Sequence, residues 1–311
     1  MSKRITTIGG QALMEGIMMV GPKRSTAAFC DAQGNVTTED ISFEPLTKKY
    51  PILALPFVRG IFAMIDSYRR GYKALSLSAD RLLEDEPEEP GKLDKWLEDH
   101  LGEKMTGAIM TIAMVLGVGL AVVLFYLLPT MLFNGLNSLA GGSIEPIRAI
   151  FEGVFRFAIF LLYIVLISFM PDIKRTFMYH GAEHKTIFCY ENELPLTVEH
   201  IRGQSRFHPR CGTSFMVLML LLGIVVGFFI PFTNPLLRTA TKLLTIPLVM
   251  NVGYELLKLC ARHDNLLVRI ITAPGLWMQR ITTKEPDDNM IEAAIAAMVE
   301  VIPENGEDLV Q

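Results

Sequence analysis

Two long stretches without any charged residue constrain the fold of this chain of 311 residues more than any other feature. No Asp, Glu, Lys or Arg occurs between residues 105 and 144, or between residues 211 and 237. A helix that crosses the apolar core of a bilayer needs about 20 apolar residues, and both stretches are longer than that. The pattern therefore predicts an integral membrane protein and excludes an ordinary soluble domain.

The sequence predicts about four transmembrane helices, which gives an all-α membrane protein with a cytoplasmic α+β portion. The predicted spans are residues 105–133, 157–170, 211–237 and 243–257, and the second can be extended back to residue 149. This extension contains Glu152 and Arg156, which lie four residues apart and are expected to pair on one helix.

Positive charge is distributed unevenly around these spans. Segments 1–104, 172–210 and 258–311 carry 25 of the 29 Lys and Arg residues, whereas the remaining two loops carry 4. Lys and Arg accumulate on the cytoplasmic side of membrane proteins. The distribution therefore predicts that both termini and segment 172–210 are cytoplasmic.

The remaining regions divide the chain into four parts. These are a cytoplasmic N-terminal region at 1–83, an acidic linker with a juxtamembrane helix at 84–104, the transmembrane bundle at 105–257, and a cytoplasmic tail at 258–311. A small β-hairpin is predicted from strands at 26–30 and 36–43, which flank a turn that contains Gly. Residues 50–80 predict an interfacial helix, and residues 287–301 predict an amphipathic packing helix.

The segment after the second span carries the pattern His180-x-x-Glu183-His184. Residues four apart on a helix project from one face, so both imidazoles point the same way. This is the inverted order of the zincin motif, in which two imidazoles hold zinc and the carboxylate deprotonates a bound water. The pattern predicts His180 and His184 as metal ligands and Glu183 as catalytic base, while Gly181 allows close approach to the helix. The alternative is that the two histidines cap a juxtamembrane helix near lipid headgroups.

Three further residues are candidate ligands. His208 and Cys211 offer an imidazole and a thiol at the start of the third span, three residues apart, which is a short-loop spacing typical of zinc sites. Glu255 is a carboxylate near the membrane, where a divalent ion would be a strong partner; alternatively it snorkels or pairs with Lys258 or Arg262. We favour His208 and Cys211, because imidazole and thiolate bind zinc better than a carboxylate does at neutral pH.

A row of arginines follows the histidine motif. Arg202, Arg206 and Arg210 recur every four residues and would form a basic stripe if that segment were helical. The stripe is either a cytoplasmic anchor or a clamp for lipid headgroups or an anionic substrate. Membrane lipids are the expected partners, with other membrane proteins as a second class. A net charge of −4 gives no indication of nucleic-acid binding.

Five segments resemble the YqhQ-like family of bacterial membrane proteins. They are GGQALMEGIMMVGP (9–22), YHGAEHKTIFCYE (179–191), QSRFHPRCGTSF (204–215), YELLKL (254–259) and PGLWMQRITTKEPDD (274–288). Together they span nearly the whole chain in the family's order, although the acidic linker at 84–91 is outside the pattern. The family's function is unknown, and its members are commonly described as predicted metal-dependent enzymes. The resemblance implies a bacterial inner-membrane protein with metal-related residues such as His180, Glu183, His184, His208 and Cys211.

Three classes of function remain open. The first is a metal-dependent hydrolase, with zinc as the expected ion, that acts at the cytoplasmic membrane surface on a lipid or a membrane peptide. The second is a non-catalytic assembly factor or scaffold, in which His and Cys bind a structural metal or pack. The third is a small transporter, with Glu255 and the Glu152–Arg156 pair along its path. A closed site of four ligands favours the scaffold, whereas three protein ligands and a water favour the enzyme.

Overall fold

The computed structural model describes residues 4–309 except residues 32, 57, 86–111, 113–114 and 262–264. Most of the predicted linker, the juxtamembrane helix and the start of the first predicted span therefore lie outside the described residues. The chain divides into two compact units. The first comprises Met1–Asp85, Ile164–Met219 and Met250–Gln311, and the second comprises Glu86–Tyr163 and Leu220–Val249.

Helices make up most of the described chain. In chain order they are α1 (Leu46–Lys49), α2 (Arg59–Asp85), α3 (Val115–Leu139), α4 (Arg148–Ile167), α5 (Pro171–Glu191), α6 (Val198–Arg202), α7 (Gly212–Phe228), α8 (Pro235–Ala261), α9 (Leu266–Thr282) and α10 (Asp288–Val301), with short 3-10 turns at Pro51–Ala54 and Glu145–Ile147.

An antiparallel sheet of four strands begins the first unit. Its strands β1 (Gly9–Leu13), β2 (Gly16–Val20), β3 (Ser25–Cys30) and β4 (Val36–Asp40) pair in sequence order. The predicted hairpin is confirmed as β3 and β4, which run in register from the Thr26–Asp40 pair to the Cys30–Val36 pair. β1 and β2 were not predicted, because β2 is buried on both faces and so lacks the alternation of a half-buried strand.

Helices cover both faces of this sheet. On one face, Ala74 of α2 packs in a cluster with Met18 and Ala27. On the other face, α5 and α10 form the main core with Ile17 and Met19. The predicted packing helix is thus confirmed as α10, and the side chain of Asp287 caps it by accepting the N–H of Met290. The predicted helix in residues 50–80 is α2, which begins at Arg59.

Among the described residues, three helices are long and apolar enough to cross a membrane. They are Val115–Leu139, Glu145–Ile167 and Pro235–Cys260. The third predicted span corresponds to α7, which is apolar but has only 17 residues and ends at Phe228. A new helix then begins at Pro235, where the side chain of Asn234 caps the N–H groups of Leu236 and Leu237. The outer loop expected near residues 238–242 is therefore helical and belongs to α8.

Charged residues of the second unit are paired between helices. Glu152 of α4 accepts hydrogen bonds from Arg238 (2.9 Å) and Lys242 (2.5 Å) of α8. Arg156 instead donates to the carbonyl of Phe125 (2.7 Å), which lies in a π-helical turn of α3. The expected pairing of Glu152 with Arg156 is therefore wrong, because α8 supplies closer cations to this carboxylate.

Candidate metal centre

The histidine motif lies in α5, as its spacing predicts. Pro171 occupies the first turn, where its missing N–H costs nothing, and Asp172 places a negative charge at the positive end of the helix. From Tyr179 to Glu191 most side chains are buried, because the sheet and α10 pack against this half of the helix.

Gly181 admits a second backbone segment to the surface of α5, which confirms the prediction from sequence. A Cβ atom added at Gly181 would collide with the carbonyl oxygen of Lys284. The N–H of Lys284 donates to the carbonyl of Phe177 at 2.8 Å, which fixes this segment along the helix. Residues 279–286 therefore form one wall of the site.

His180, His184 and Cys211 come together in the first unit. Their candidate ligand atoms all lie within 4.8 Å of one another, and Nε2 of His180 is 3.3 Å from Sγ of Cys211. The Nδ1 atoms of both rings face backbone carbonyls, that of Thr282 for His180 (2.8 Å) and that of Arg206 for His184 (2.6 Å). A carbonyl only accepts hydrogen bonds, so Nδ1 carries the proton and Nε2 is left with a lone pair. Metal-binding histidines are commonly oriented in this way.

The Nε2 atom of His184 is buried and has no hydrogen-bond partner among the described residues. An unsatisfied buried polar atom costs about 1–3 kcal/mol. Two neutral imidazoles and a thiol are a good donor set for zinc. The three residues therefore fit a transition-metal ion.

Gln279 holds the loop that carries Cys211. Its Oε1 accepts the N–H of His208 (2.7 Å), and its Nε2 donates to the carbonyl of the same residue (2.8 Å). The N–H of Cys211 in turn donates to that carbonyl at 3.3 Å. Cys211 immediately precedes α7, so this loop sets the position of its thiol at the start of that helix.

His208 lies beside the three-residue group, but its Nε2 faces another partner. Its ring centroid is 5.6 Å from that of His184, while Nε2 is 3.6 Å from the carboxylate of Glu191. Burial lowers the pKa of His208 to about 4, against the opposing effect of the nearby Glu191 carboxylate, so the ring is neutral at neutral pH. Burial also disfavours the charge of Glu191, but the neighbouring His208, the hydrogen bond from the N–H of Thr6 and the charge of Arg210 lower its pKa.

The carboxylate of Glu183 is buried against β1. A Cβ atom added at Gly10 would lie 2.9 Å from Cδ of Glu183, and the Gly10 N–H bonds to the carboxylate. Burial raises the pKa of Glu183, and the neighbouring His180 ring and this hydrogen bond partly oppose that rise. Gly10 thus lets β1 approach the carboxylate of Glu183 closely.

Glu255 lies in an ion pair with Arg59 and not in the three-residue group. Its carboxylate accepts two hydrogen bonds from that guanidinium, at 2.7 and 2.6 Å. Arg59 begins α2, which is far away in sequence, so the spacing of residues around Glu255 contained no sign of this partner.

The three arginines do not share a helix. α6 ends at Arg202, and residues 203–211 are not helical, so no basic stripe forms. Each arginine has an acidic partner of its own; the pairs are Arg202 with Asp288, Arg206 with Glu285, and Arg210 with Glu191. These pairs tie α6 to α10, and segment 203–211 to α5 and the wall of the site.

The fold and this group describe a largely helical protein with candidate membrane spans, a four-stranded sheet, and a His–His–Cys group beside that sheet. The family described as "Protein of unknown function (DUF1385)" matches residues 55–304, and the chain belongs to this family. It is 35% identical over 296 residues to the "Uncharacterized protein YqhQ" of Bacillus subtilis (strain 168), which covers 94% of this chain and 92% of that protein. No solved structure matches the chain. The resemblance to the YqhQ-like family is therefore confirmed.

Proposed function

We propose that this protein is a metal-dependent hydrolase of the bacterial inner membrane, and that zinc binds to His180, His184 and Cys211. The observation that carries the proposal is the buried, unpartnered Nε2 of His184 beside two further donor atoms. Three protein ligands leave a coordination position open, which is typical of catalytic rather than structural zinc.

The bound ion would supply Lewis acidity to a reaction at this centre. The carbonyls of Thr282 and Arg206 hold the two imidazoles in the tautomer that presents Nε2. Glu183 is the proposed base, and its carboxylate would hold the proton removed during hydrolysis. Gln279 fixes the loop that places the Cys211 thiol.

The substrate class that we propose is a lipid or a membrane peptide, because helices of this chain are long and apolar enough to cross a membrane. We propose that α7 is a fourth, short span, which would put both termini on one side. The excess of Lys and Arg in segments 1–104, 172–210 and 258–311 supports a cytoplasmic location for that side.

The second candidate is a non-catalytic assembly factor or scaffold. It is favoured by the contact of Glu183 with β1, because a carboxylate that accepts the N–H of Gly10 also serves to anchor a strand. The two candidates differ in the coordination of the metal, since a structural zinc site has four protein ligands.

The metal content of purified protein tests the proposal. We expect about one zinc ion per chain in the wild type. The His180→Ala and His184→Ala variants should bind zinc much more weakly. His200→Ala is the matched control, because His200 is exposed on α6 and bonds only nearby Thr197 through its side chain. Equal metal in all four proteins would reject the site.

X-ray absorption at the zinc edge tests the ligand set. A sulfur scatterer at about 2.3 Å is expected from Cys211 and should disappear in Cys211→Ser. A first shell of nitrogen and oxygen alone in the wild type would exclude the thiolate as a ligand.

A further inference from the structure

α9 exposes an apolar stripe directly after a candidate membrane span. It begins five residues after Ala261, the last residue of α8, and the side chain of Asn265 caps it by accepting the N–H of Val268. Leu266, Ile270 and Trp277 share one exposed face, and Trp277 is 73% exposed. These spacings of four and seven residues put the three side chains in one row along the helix.

The opposite face of α9 is buried in the first unit. Met278 and Gln279 are almost fully buried, and Gln279 bonds the backbone of His208. Residues two apart on an α-helix lie about 200° apart, so Trp277 and Gln279 point in opposite directions. One side of α9 therefore supports the metal centre while the other has no protein cover among the described residues.

α2 begins beside the end of the same candidate span. The N–H of Ile61 donates to Oδ1 of Asn251 at 3.2 Å, and Arg59 pairs with Glu255. A Cβ atom added at Gly60 would lie 2.9 Å from Cα of Asn251, so the two backbones nearly touch. Since α8 ends at Ala261, these contacts lie within about 15 Å of its end at 1.5 Å per residue.

The outward face of α2 carries a second stripe. Ile65, Tyr68, Tyr72 and Leu75 follow one another at intervals of three, four and three residues, and both tyrosines are more than 70% exposed. Arg69 and Lys73 lie beside them in the sequence and are also exposed. The opposite face packs on the sheet through Ala74.

We propose that the exposed stripes of α2 and α9 lie in the headgroup region of the bilayer that α8 crosses. Tyrosine and tryptophan concentrate at that depth because their rings are apolar and their N–H and O–H groups are polar. Interfacial helices combine such a face with cations. The exposed Lys73 would meet anionic phosphates, and so would the half-exposed Arg69, whose guanidinium also pairs with Asp66. A bilayer is favoured over a second protein because α2 contacts the end of this candidate span directly and α9 begins only five residues after it in the chain.

This placement of α2 and α9 does not depend on metal binding. If the proposed hydrolase function is correct, the placement also indicates the class of its substrate. Gln279 and Thr282 of α9 bond to His208 and His180, so the helix that contacts lipid also orients the site. The substrate class would then be molecules whose reacting bond lies at headgroup depth.

Quenching of Trp277 fluorescence by brominated lipids tests the placement. The chain has two tryptophans, so full-length Trp96→Phe leaves Trp277 as the only emitter. The protein is reconstituted in phosphatidylcholine and phosphatidylglycerol with bromine either near the headgroup or near the chain end. We expect blue-shifted emission and a larger loss of intensity with the shallow bromine.

Two more reporters make the result specific. In the Trp96→Phe, Trp277→Phe background, Tyr72→Trp should show the same shallow quenching. Val299→Trp, at a position that is 58% exposed on α10, should show none. Emission of Trp277 that neither bromine reduces would overturn the proposal, and so would stronger quenching by the deep bromine or equal quenching at position 299. Zinc content, measured separately, tells a failure of this placement from a failure of the metal site.

Discussion

Gln279 links α9 to the loop of Cys211, the proposed thiol ligand, so its replacement by Leu is a sharp test of how this loop is held. The side chain is fully buried and makes three hydrogen bonds, two with the backbone of His208 and one with the hydroxyl of Thr213 at 3.3 Å. Leu fills a similar volume but can neither donate nor accept. The N–H and carbonyl of His208 would then lose partners in a buried loop.

The size of the effect follows from these contacts. A buried backbone group without a partner costs about 1–3 kcal/mol. The N–H of His208 would be left in that state, whereas its carbonyl keeps the N–H of Cys211, so the change should lower the free energy of unfolding by about 1–3 kcal/mol. The loop from His208 to Cys211 would also lose its fixed position. Loss of such a supporting contact typically weakens metal binding by about 10–100-fold.

Competition with a chelator measures zinc affinity, and thermal unfolding of the metal-free protein measures stability. Gln204→Leu is the control, because Gln204 is only partly buried and bonds Asn192 and His200 away from the group. We expect it to leave zinc affinity unchanged. If Gln279→Leu is less stable but binds zinc as tightly as the wild type, the loop does not position the thiol and the reasoning is wrong.

Three further changes test other parts of the structure. Glu183→Gln should keep zinc and the fold but fail to complement a deletion strain, and full complementation would favour the scaffold. Gly181→Ala should destabilise the protein by about 1–3 kcal/mol, because its Cβ meets the Lys284 carbonyl, and an unchanged melting temperature would contradict this. Introduced cysteines should be labelled from outside the cell at position 143 and only from inside at position 192; the reverse pattern would refute the proposed topology.

Local periodicity accounts for what the sequence predicted correctly. The spacing of His180 and His184 depends only on the helical repeat, and the β3–β4 hairpin depends on a Gly-containing turn between two short strands. Both features are complete within about twenty residues. α10 was predicted correctly for the same reason, because its apolar face repeats within a single segment of 14 residues.

Contacts between distant segments account for what the sequence missed. Gln279 bonds His208, which lies 71 positions earlier, and Glu255 bonds Arg59, which lies 196 positions earlier. No pattern within a single segment contains such pairs. His208 shows the same limit, because its residue type suits zinc but its Nε2 faces Glu191. A separate obstacle is Pro274, a residue type that disfavours the helix interior, although α9 continues through it.

The contact between His180 and the end of α9 has a consequence for biosynthesis. The carbonyl that orients His180 belongs to Thr282, which leaves the ribosome 102 residues after the histidine. During that interval α8 must also be synthesised, so translation of the last long apolar helix precedes completion of the centre. His180 and His184 would therefore lie in an incomplete site until α9 is synthesised. Binding of a metal ion to this site would then be a late step in maturation. Nascent chains arrested before residue 279 should not retain zinc.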